Sequence, residues 1–581
     1  MRPEREPAIY DLNMASLTAK TIHGRTYYYL RECAWVNGRP KIVKQTYLGT
    51  ADALAAALGK APNPLQLLPG APVRAFGAVA AVYDLAQRLD LVGLIDRHVP
   101  KRGSQGPSVG TLLVLAAINR AVAATSKARL STWYERTCLP QWMKLQAGQL
   151  TSQRFWDNMD RVSASALVAI ERELAARVVE QFQLDLRCLF YDATNFFTFI
   201  DTFNRRPTLP ARGKSKEGRN NLRILGLALL VTGDFQVPLF HQLYPGNHND
   251  PTSFRSVVGE LVERYRQLAA GAEDVTLVFD KGNNTEDSLE ILTPSYHVVG
   301  SLVPGHHPDL LTLPRRRFRR LDPTRFPAEV WAYRTTQEVF GRSFTVLVTY
   351  NENLFRTQRQ TIEREVAKRQ EKLRAYQGYL TRWQQGRGRG RRPSLASATQ
   401  AVAQILSGRH MKELFAVDLS ADAEQRPRLR YRFDRAAYQR LERSLLGKTL
   451  LFTDHADWSV EQLVTAYRGQ HHVENAFRQM KDAHYVRFRP AHHWTDQKLR
   501  VHAFTCVLAL LLCSLLRREL SRQGIDVSVD RMLETLDTIR EVQVLLSAGR
   551  GRPRVQRTHS QLEPLAAQMF QALDLGRLLP G

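Results

Sequence analysis

The sequence has few cysteines, and they are not arranged for any structural role. The five cysteines, Cys33, Cys138, Cys188, Cys506 and Cys513, are scattered, odd in number and never spaced as CxxC. This usage excludes a disulfide framework and a cysteine-based zinc site, and it predicts reduced thiols inside a cell.

Long apolar runs are also missing. The first residues contain no apolar stretch of the signal-peptide kind. The most hydrophobic segment, 503–516, is shorter than the roughly 20 residues of a membrane span, and charged residues flank it. We therefore expect a buried core helix at 503–516 and a cytoplasmic protein with no membrane partner.

Negative charge is scarce relative to positive charge. The 581 residues contain 82 Lys and Arg against 56 Asp and Glu, a formal net charge of +26, while 44% hydrophobic residues suffice for a sizeable core. A surplus of this size favours a polyanionic partner, and nucleic acid is the commonest one.

Several familiar catalytic motifs are absent. The segment "RGKS" at 212–215 resembles the end of a phosphate-binding loop, but Thr208 stands where the first glycine is required. No PCxxC follows "HVE" at 472–474, and the paired histidines lack zincin spacing. A P-loop NTPase, a zinc deaminase and a zincin are therefore excluded.

The order of sequence patterns predicts a mixed fold without internal repeats. Alternating runs at 19–49, broken at Asn37-Gly38, predict a β-hairpin. A helical pattern covers 75–185, and strands return near 187, with a helical stretch at 250–271 before further strands. Three strands, a helix and then more strands predict an α/β sheet that starts antiparallel.

These patterns divide the chain into six predicted segments. They are an N-terminal β-hairpin region (1–60), a helical, DNA-binding region (61–185), a first core part (186–309), an inserted domain (310–450), a second core part (451–520) and a C-terminal helical basic tail (521–581). Two basic stretches, 386–394 and 549–557, fall in the inserted domain and the tail.

Two aspartates stand out in the first core part. Asp192 interrupts the apolar strand "CLFYDATNFFTF", and burying a carboxylate costs several kcal/mol unless it is paired or binds a metal. Asp280 ends "VTLVFD" just before a glycine turn, where open α/β sheets place active sites. The alternative is that Asp192 is a strand-end outlier and Asp280 a turn former.

The segment "YRGQHHVENAFRQMKD", 467–482, supplies a third carboxylate. Tyr467, Glu474 and Lys481 are spaced i, i+7 and i+14, which predicts one face of one helix. With the two aspartates, Glu474 makes a set of oxygen ligands suited to Mg²⁺. Two such ions ~4 Å apart can promote in-line displacement at a phosphodiester. The alternative is an ordinary solvated helix face.

Together these features resemble the DDE transposases of bacterial insertion sequences. The similar group has a Tyr-x2-Arg-x3-Glu-x6-Lys signature and a large insertion before the catalytic glutamate, which the 194 residues between Asp280 and Glu474 would accommodate. Blocks at 212–229, 244–250 and 279–284 also resemble the family, and the resemblance covers roughly 20–520. The signature arginine is replaced by Gln470.

The resemblance implies an RNase H-like catalytic core interrupted by the inserted domain, with helical N- and C-terminal regions. It assigns catalysis and metal binding to Asp192, Asp280 and Glu474, with two Mg²⁺ ions for which Mn²⁺ can substitute. The implied partners are double-stranded DNA, as terminal inverted repeats and target DNA, and a second copy in a homodimeric synaptic complex. The implied location is the bacterial nucleoid.

The expected reaction is strand cleavage at the ends of an element and strand transfer into target DNA. The residues expected to contact DNA are Tyr467, Arg468, Gln470, Arg478, Lys481, Arg212, Lys214 and Lys216. Two alternatives stay open: a DNA-binding protein with an inactive transposase-like core, and an RNase H-like nuclease that does not join strands.

Overall fold

A computed structural model describes most of the chain as two compact units. The described residues are 14–36, 39–54, 73–101, 103, 106–248, 275–280, 282, 284–327, 329–482, 484–489, 491–546 and 554–579. The first unit combines Met1–Ala81, Thr132–Lys144 and Leu533–Gly581, and the second combines Val82–Ser131 and Leu145–Met532. The predicted helical region therefore contributes residues to both units.

The N-terminal region forms a three-stranded antiparallel sheet in the order β1-β2-β3. Its strands are β1 (Met14–Ile22), β2 (Arg25–Val36) and β3 (Arg39–Thr50). The predicted pairing on either side of 37–38 is confirmed, although the Asn-Gly turn itself lies outside the described residues. The sequence pattern missed β1, which joins β2 through His23 and Gly24, both at positive φ.

The next region is helical, as predicted, after a short strand. Its elements are β4 (Val73–Ala75), α1 (Gly77–Arg88), α2 (Leu91–His98), α3 (Val109–Val122), α4 (Leu130–Glu135), α5 (Leu139–Met143), α6 (Ser152–Asp160) and α7 (Ala164–Phe182). Ser108, Thr151 and Ser163 cap α3, α6 and α7 by accepting a bond from the backbone three residues further on.

The centre of the second unit is a mixed sheet. Its first strands are β5 (Cys188–Phe197), β6 (Ile224–Thr232), β7 (Pro238–Pro245), β8 (Thr276–Val278) and β9 (His297–Ser301), and the helix α8 (Glu286–Leu292) connects β8 to β9. Pairs β5–β6 and β6–β7 are antiparallel, whereas β5–β8 and β8–β9 are parallel. The predicted antiparallel start is confirmed. The helical stretch predicted at 250–271 lies outside the described residues.

The predicted inserted segment is only partly separate from this sheet. Its elements, with the strand that follows, are α9 (Pro308–Leu311), β10 (Arg319–Arg320), β11 (Val330–Val339), β12 (Arg342–Asn351), α10 (Glu352–Gln384), α11 (Leu395–Ile405), α12 (Met411–Leu414), β13 (Phe415–Ala421), β14 (Pro427–Phe433), α13 (Arg435–Ser444) and β15 (Lys448–Thr453). Strands β10, β11, β12 and β15 extend the large sheet, in the order β10-β11-β12-β15-β9-β8-β5-β6-β7. Residues 352–446 instead share their own hydrophobic cluster, and we call them the helix–hairpin insert.

The C-terminal part corrects one expectation. Its elements are α14 (Val460–Arg468), α15 (His471–Lys481), α16 (Asp496–Arg522), α17 (Val529–Asp537), β16 (Arg540–Leu546), β17 (Arg554–His559) and α18 (Pro564–Ala572). The tail was predicted to be helical, but β16 and β17 form a sheet with β4. The physical reason is the β-branched and alternating "REVQVLL", which suits a half-buried strand.

Helix α16 is the predicted core helix. It is long and apolar enough to cross a membrane by length and composition, and a bent pair at Val109–Val122 and Lys127–Glu135 would pass the same test as one span. The most apolar stretch of α16 is 94% buried within the protein. The expectation of a buried core helix at 503–516 is confirmed.

Candidate functional site

Extended by two residues, the registers of three adjacent parallel strands place Asp192, Asp280 and Ser301 in one row. The β5–β8 ladder and the β8–β9 ladder both end at Val278 of β8. Continuing both registers by two residues places the three side chains opposite one another, on strands spaced ~4.8 Å apart. Side chains at one register point to the same face of a sheet, so the row brings together two carboxylates and a hydroxyl. We call these three residues the carboxylate row.

Tyr467 binds two members of the row. Its hydroxyl donates to Ser301 Oγ at 2.9 Å and lies 3.3 Å from Asp280 Oδ1, and Ser301 Oγ is 3.3 Å from the same carboxylate oxygen. Burial raises the pKa of Tyr467 well above its ordinary value, and the carboxylates of Asp280 and Glu474 raise this pKa further. The phenol therefore stays protonated. Its single hydrogen is donated to Ser301 Oγ, and the Ser301 hydroxyl in turn donates to Asp280, so Tyr467 orients Asp280 through Ser301.

The helix that carries Tyr467 is not the helix that carries Glu474 and Lys481. Tyr467 lies in the last turn of α14, whereas Glu474 and Lys481 lie on α15. This corrects the prediction of a single helix with all three residues in a row. The break is at Gly469, where a Cβ would overlap the ring of Phe190 on β5, so only glycine lets the chain pass this close.

Gln470 faces the sheet instead of the surface. Its side chain is only 8% exposed, and Nε2 donates to the Tyr191 carbonyl at 3.4 Å. The prediction that Gln470 contacts DNA is therefore wrong for this structure, because the side chain is buried. Its carbonyl oxygen Oε1 is buried and has no hydrogen-bond partner among the described residues.

Helix α15 lies along β5 over the face that carries Asp192. His472 packs against Phe190, with ring centroids 5.2 Å apart, and Lys481 donates to Thr194 Oγ1 at 2.8 Å. These two contacts lie on either side of Asp192 on the strand. Glu474 and Arg478 of α15 are exposed.

Two lysines lie beside Asp192. Lys216 Nζ donates to the Ala193 carbonyl at 2.7 Å, and Lys481 reaches the next residue along the strand. Burial lowers the pKa of Lys481, and neighbouring cations, Lys216 among them, lower it further, while Glu217 and Asp192 raise it. The first carboxylate of the row therefore lies in a positively charged surrounding, as a phosphate-binding edge requires.

The other expected DNA contacts are distributed around this edge. Arg212, Lys214 and Arg478 are exposed. Arg468 is exposed as well, with its guanidinium 4.9 Å above the ring of Phe326, and burial lowers its pKa.

The donor set suits a hard divalent cation, although the three carboxylates are not gathered into one cluster. Asp192 and Asp280 offer the oxygen ligands that Mg²⁺ prefers. Within the described ranges, no group of three or more His, Cys, Asp and Glu side chains is arranged to hold a metal ion. Glu474 therefore lies near the row without completing it.

Sequence reasoning missed Ser301. The residue is 2% exposed and ends the strand "HVVGS", whose apolar pattern gives no reason to single out its last residue. The signal was its place two residues beyond the last β8–β9 pair, which is visible only once the strand register is known.

No protein-family model matches the chain, and no curated protein matches it. Solved structures similar to it include two transposases. The piggyBac transposase in a synaptic complex with hairpin DNA is 8% identical over 79% of this chain and 78% of its own, with a TM-score of 0.35. The Mos1 transposase in a paired-end complex with the left transposon end is 13% identical over 36% of this chain and 63% of its own, with a TM-score of 0.14. Both are transposases, but at these scores the function has to be argued from the site itself.

Proposed function

We propose that this chain is a DDE transposase, which cleaves DNA strands at the ends of an element and transfers them into target DNA. The observation that carries the proposal is the carboxylate row. Among the five strands β5 to β9, Asp192 lies on the first in chain order, β5, and Asp280 lies two residues after the end of the fourth, β8. The family resemblance implies this placement for an RNase H-like core, with the glutamate on a later helix, as Glu474 is.

Asp192, Asp280 and Glu474 would hold the divalent cations, with Mg²⁺ as the expected ion and Mn²⁺ as a substitute. Bound there, two cations would activate a water or a 3′-hydroxyl and stabilise the leaving oxygen. Tyr467 and Ser301 fix one oxygen of Asp280, and hydrogen bonds of this kind orient ligands in metal sites. Glu474 is exposed on α15, and its carboxylate raises the pKa of Tyr467, so it is the third ligand that we expect to complete the set.

The cationic groups beside Asp192 would hold the DNA. Lys481 and Lys216 approach the strand at the two residues that follow Asp192, which places both ammonium groups next to the expected position of the scissile phosphate. The net charge of +26 favours the same partner. Double-stranded DNA, a homodimer in the synaptic complex and a cytoplasmic, nucleoid-associated location belong to this proposal.

The direct test uses the DNA that flanks the gene as substrate, with Mg²⁺ and a labelled target duplex. We expect cleavage at the element ends and joining to the target, both abolished by Asp192→Asn, Asp280→Asn and Glu474→Gln, with DNA binding retained. Asp185→Asn, at a surface ion pair with Arg187, is the matched control and should cleave like the wild type.

Each other outcome identifies an alternative. Cleavage without joining would indicate a nuclease of the same fold, and binding without cleavage would indicate an inactive core. Substantial cleavage by the Asp280→Asn protein would refute the assignment of the row.

A further inference from the structure

The helix–hairpin insert carries a line of arginines that the proposed site does not use. Arg428, Arg430 and Arg432 alternate along β14, and all three are exposed. Alternate residues of a strand share one face and repeat every ~6.8 Å. Across the described ranges, no side chain forms an ion pair or a hydrogen bond with any of the three guanidinium groups. We call these residues the arginine stripe.

The opposite face of the hairpin anchors the stripe to a rigid support. Leu429 is buried in the insert's hydrophobic cluster, and Tyr431 and Phe433 pack against that cluster. Three hydrogen bonds join the strand to α10: Gln377 Nε2 donates to the Leu429 carbonyl at 2.9 Å, Gln384 Nε2 donates to the Pro427 carbonyl at 2.9 Å, and the Tyr431 hydroxyl donates to the Gln370 carbonyl at 3.3 Å. The three arginines are therefore presented at fixed spacing on a packed strand.

The neighbouring strand leaves the stripe accessible and positive. Ala416 and Ser420 of β13 pair with Arg432 and Arg428, and both are small and uncharged. Asp418 pairs with Arg430 and is the one carboxylate within β13 and β14, but it makes no ion pair within 4.0 Å with a described residue. Asp434, directly after β14, interacts electrostatically with Arg432. Three arginines against Asp418 and Asp434 leave this face of the hairpin with a net positive charge.

The basic loop at 386–394 extends the same surface. Arg387, Arg389 and Arg391 are exposed. The guanidinium of Arg392 donates to the Glu424 carbonyl, in the turn that joins β13 to β14. This contact holds the loop against the end of the hairpin, so the loop and the stripe form one arginine-rich surface.

We propose that this surface binds the phosphate backbone of duplex DNA without reading its base sequence. The inference rests on the proposed function only in taking DNA as the partner, and it assigns a second contact region outside the carboxylate row. Guanidinium groups match phosphate geometry with paired hydrogen bonds, and phosphate contacts position a duplex without specifying its sequence. The stripe itself presents no aromatic side chain of the kind that anchors a protein partner.

The test compares two triple variants of the full chain on a random-sequence duplex over a range of salt concentrations. In the Arg428→Ser, Arg430→Ser, Arg432→Ser protein, the slope of log affinity against log salt should fall by roughly 2 to 3. The control is Arg187→Ser, Arg356→Ser, Arg359→Ser, which removes the same charge from arginines already held in ion pairs. Its slope should change by less than about 1, and thermal unfolding checks that both proteins fold.

A single variant tests the same surface by an expected gain, instead of a loss, in affinity for duplex DNA. Asp418→Asn removes the carboxylate that pairs with Arg430 in the centre of the stripe, so the affinity for duplex DNA at low salt should rise severalfold. Misfolding cannot produce such a gain. An unchanged affinity would contradict the proposal.

The outcomes separate this inference from the proposed function. If the wild type binds and cleaves DNA while the stripe variant keeps the wild-type slope, the surface is not a DNA contact, although the transposase proposal stands. If the wild type does not bind duplex DNA at all, the proposed function is refuted, and this inference is refuted with it because it requires the same partner. If the wild type binds polyglutamate as tightly as duplex and the stripe variant loses both, the surface fits an acidic protein and the DNA proposal is overturned.

Discussion

The carboxylate row and the arginine stripe differ in whether their charged groups are bonded to other parts of the protein. In the row, Asp280 is bonded to Ser301 and Tyr467, and strand register fixes the positions. In the stripe, each arginine is exposed and forms no ion pair or hydrogen bond through its guanidinium with the residues that the structure describes. The row has the preorganisation that chemistry requires, whereas the stripe leaves its charge available for an outside polyanion. The two regions should therefore fail in different assays.

Asp280→Ala gives the sharpest separation between them. Removing this carboxylate should lower DNA cleavage at least about 1,000-fold, because a member of a catalytic group that acts as a unit is lost. Affinity for duplex DNA should stay within about threefold of wild type, since the stripe is intact. The triple stripe variant should show the reverse pattern, with weak binding and near-normal cleavage at saturating DNA. Equal losses in both assays for Asp280→Ala would remove the distinction between the regions.

Gly469→Ala tests how tightly the row's surroundings are packed. The added methyl group has to displace the Phe190 ring, so we expect a loss of roughly 1–3 kcal/mol in the free energy of unfolding. Gly378→Ala is the matched control in the insert. Open space surrounds Gly378 within α10, and there alanine should stabilise the helix by about 1 kcal/mol. Denaturant unfolding of both proteins measures the difference, and equal effects would mean that the α14–α15 break is not closely packed.

Tyr467→Phe removes one hydroxyl and leaves the ring. Cleavage should fall about 10- to 100-fold, the usual effect of losing a group that orients a metal ligand. Tyr431→Phe removes a comparable hydroxyl from the insert, where it donates to the Gln370 carbonyl. It should cleave DNA like the wild type. Similar losses in the two proteins would indicate a general effect on stability instead of a positioning role for Tyr467.

A third region, where histidine is buried without charge, predicts acid sensitivity. His502 is 1% exposed, and burial first, then His493, Arg120 and Lys127, hold its pKa well below the ordinary value. Below its ordinary pKa, His502 is protonated in the unfolded chain but stays neutral in the folded chain. The contribution of neutral His502 to the free energy of unfolding is therefore complete above about pH 6.5. It is lost as pH falls, by up to about 1.4 kcal/mol per pH unit.

Denaturant unfolding at pH 7 and pH 5 measures this loss. A His502→Gln protein, although less stable at both values, should lose less stability between them than the wild type loses. A wild-type stability that does not change over this range would contradict the assignment of a neutral histidine.

The sequence was sufficient to find the candidate carboxylates but not to assemble them. Asp192 and Asp280 stand out because each is polar beside an apolar strand. Their alignment depends on which strands pair and in what register, and Ser301 became visible only from that register. The i, i+7, i+14 spacing predicted one helix, since the spacing alone does not reveal that Phe190 occupies the space beside Gly469.

The sequence shows that arginine alternates along β14, but it does not show whether these arginines are paired with acidic groups. The letters "RLRYRF" at 428–433 suit a strand with one charged face. Whether those charges are paired depends on β13 and on the turn at 422–426, which the pattern of β14 does not contain. The sequence also did not predict the burial of Gln470, because a polar residue in a signature position is ordinarily expected at the surface.

Binding of Mn²⁺ to the protein without DNA, followed by electron paramagnetic resonance, tests the central claim most directly. The carboxylate row predicts saturable binding by the wild type and at least about tenfold weaker binding by Asp192→Asn and by Asp280→Asn. Asp185→Asn, at the surface ion pair, should bind like the wild type. Wild-type Mn²⁺ affinity in both row variants would contradict the account, because the cations would then be held elsewhere.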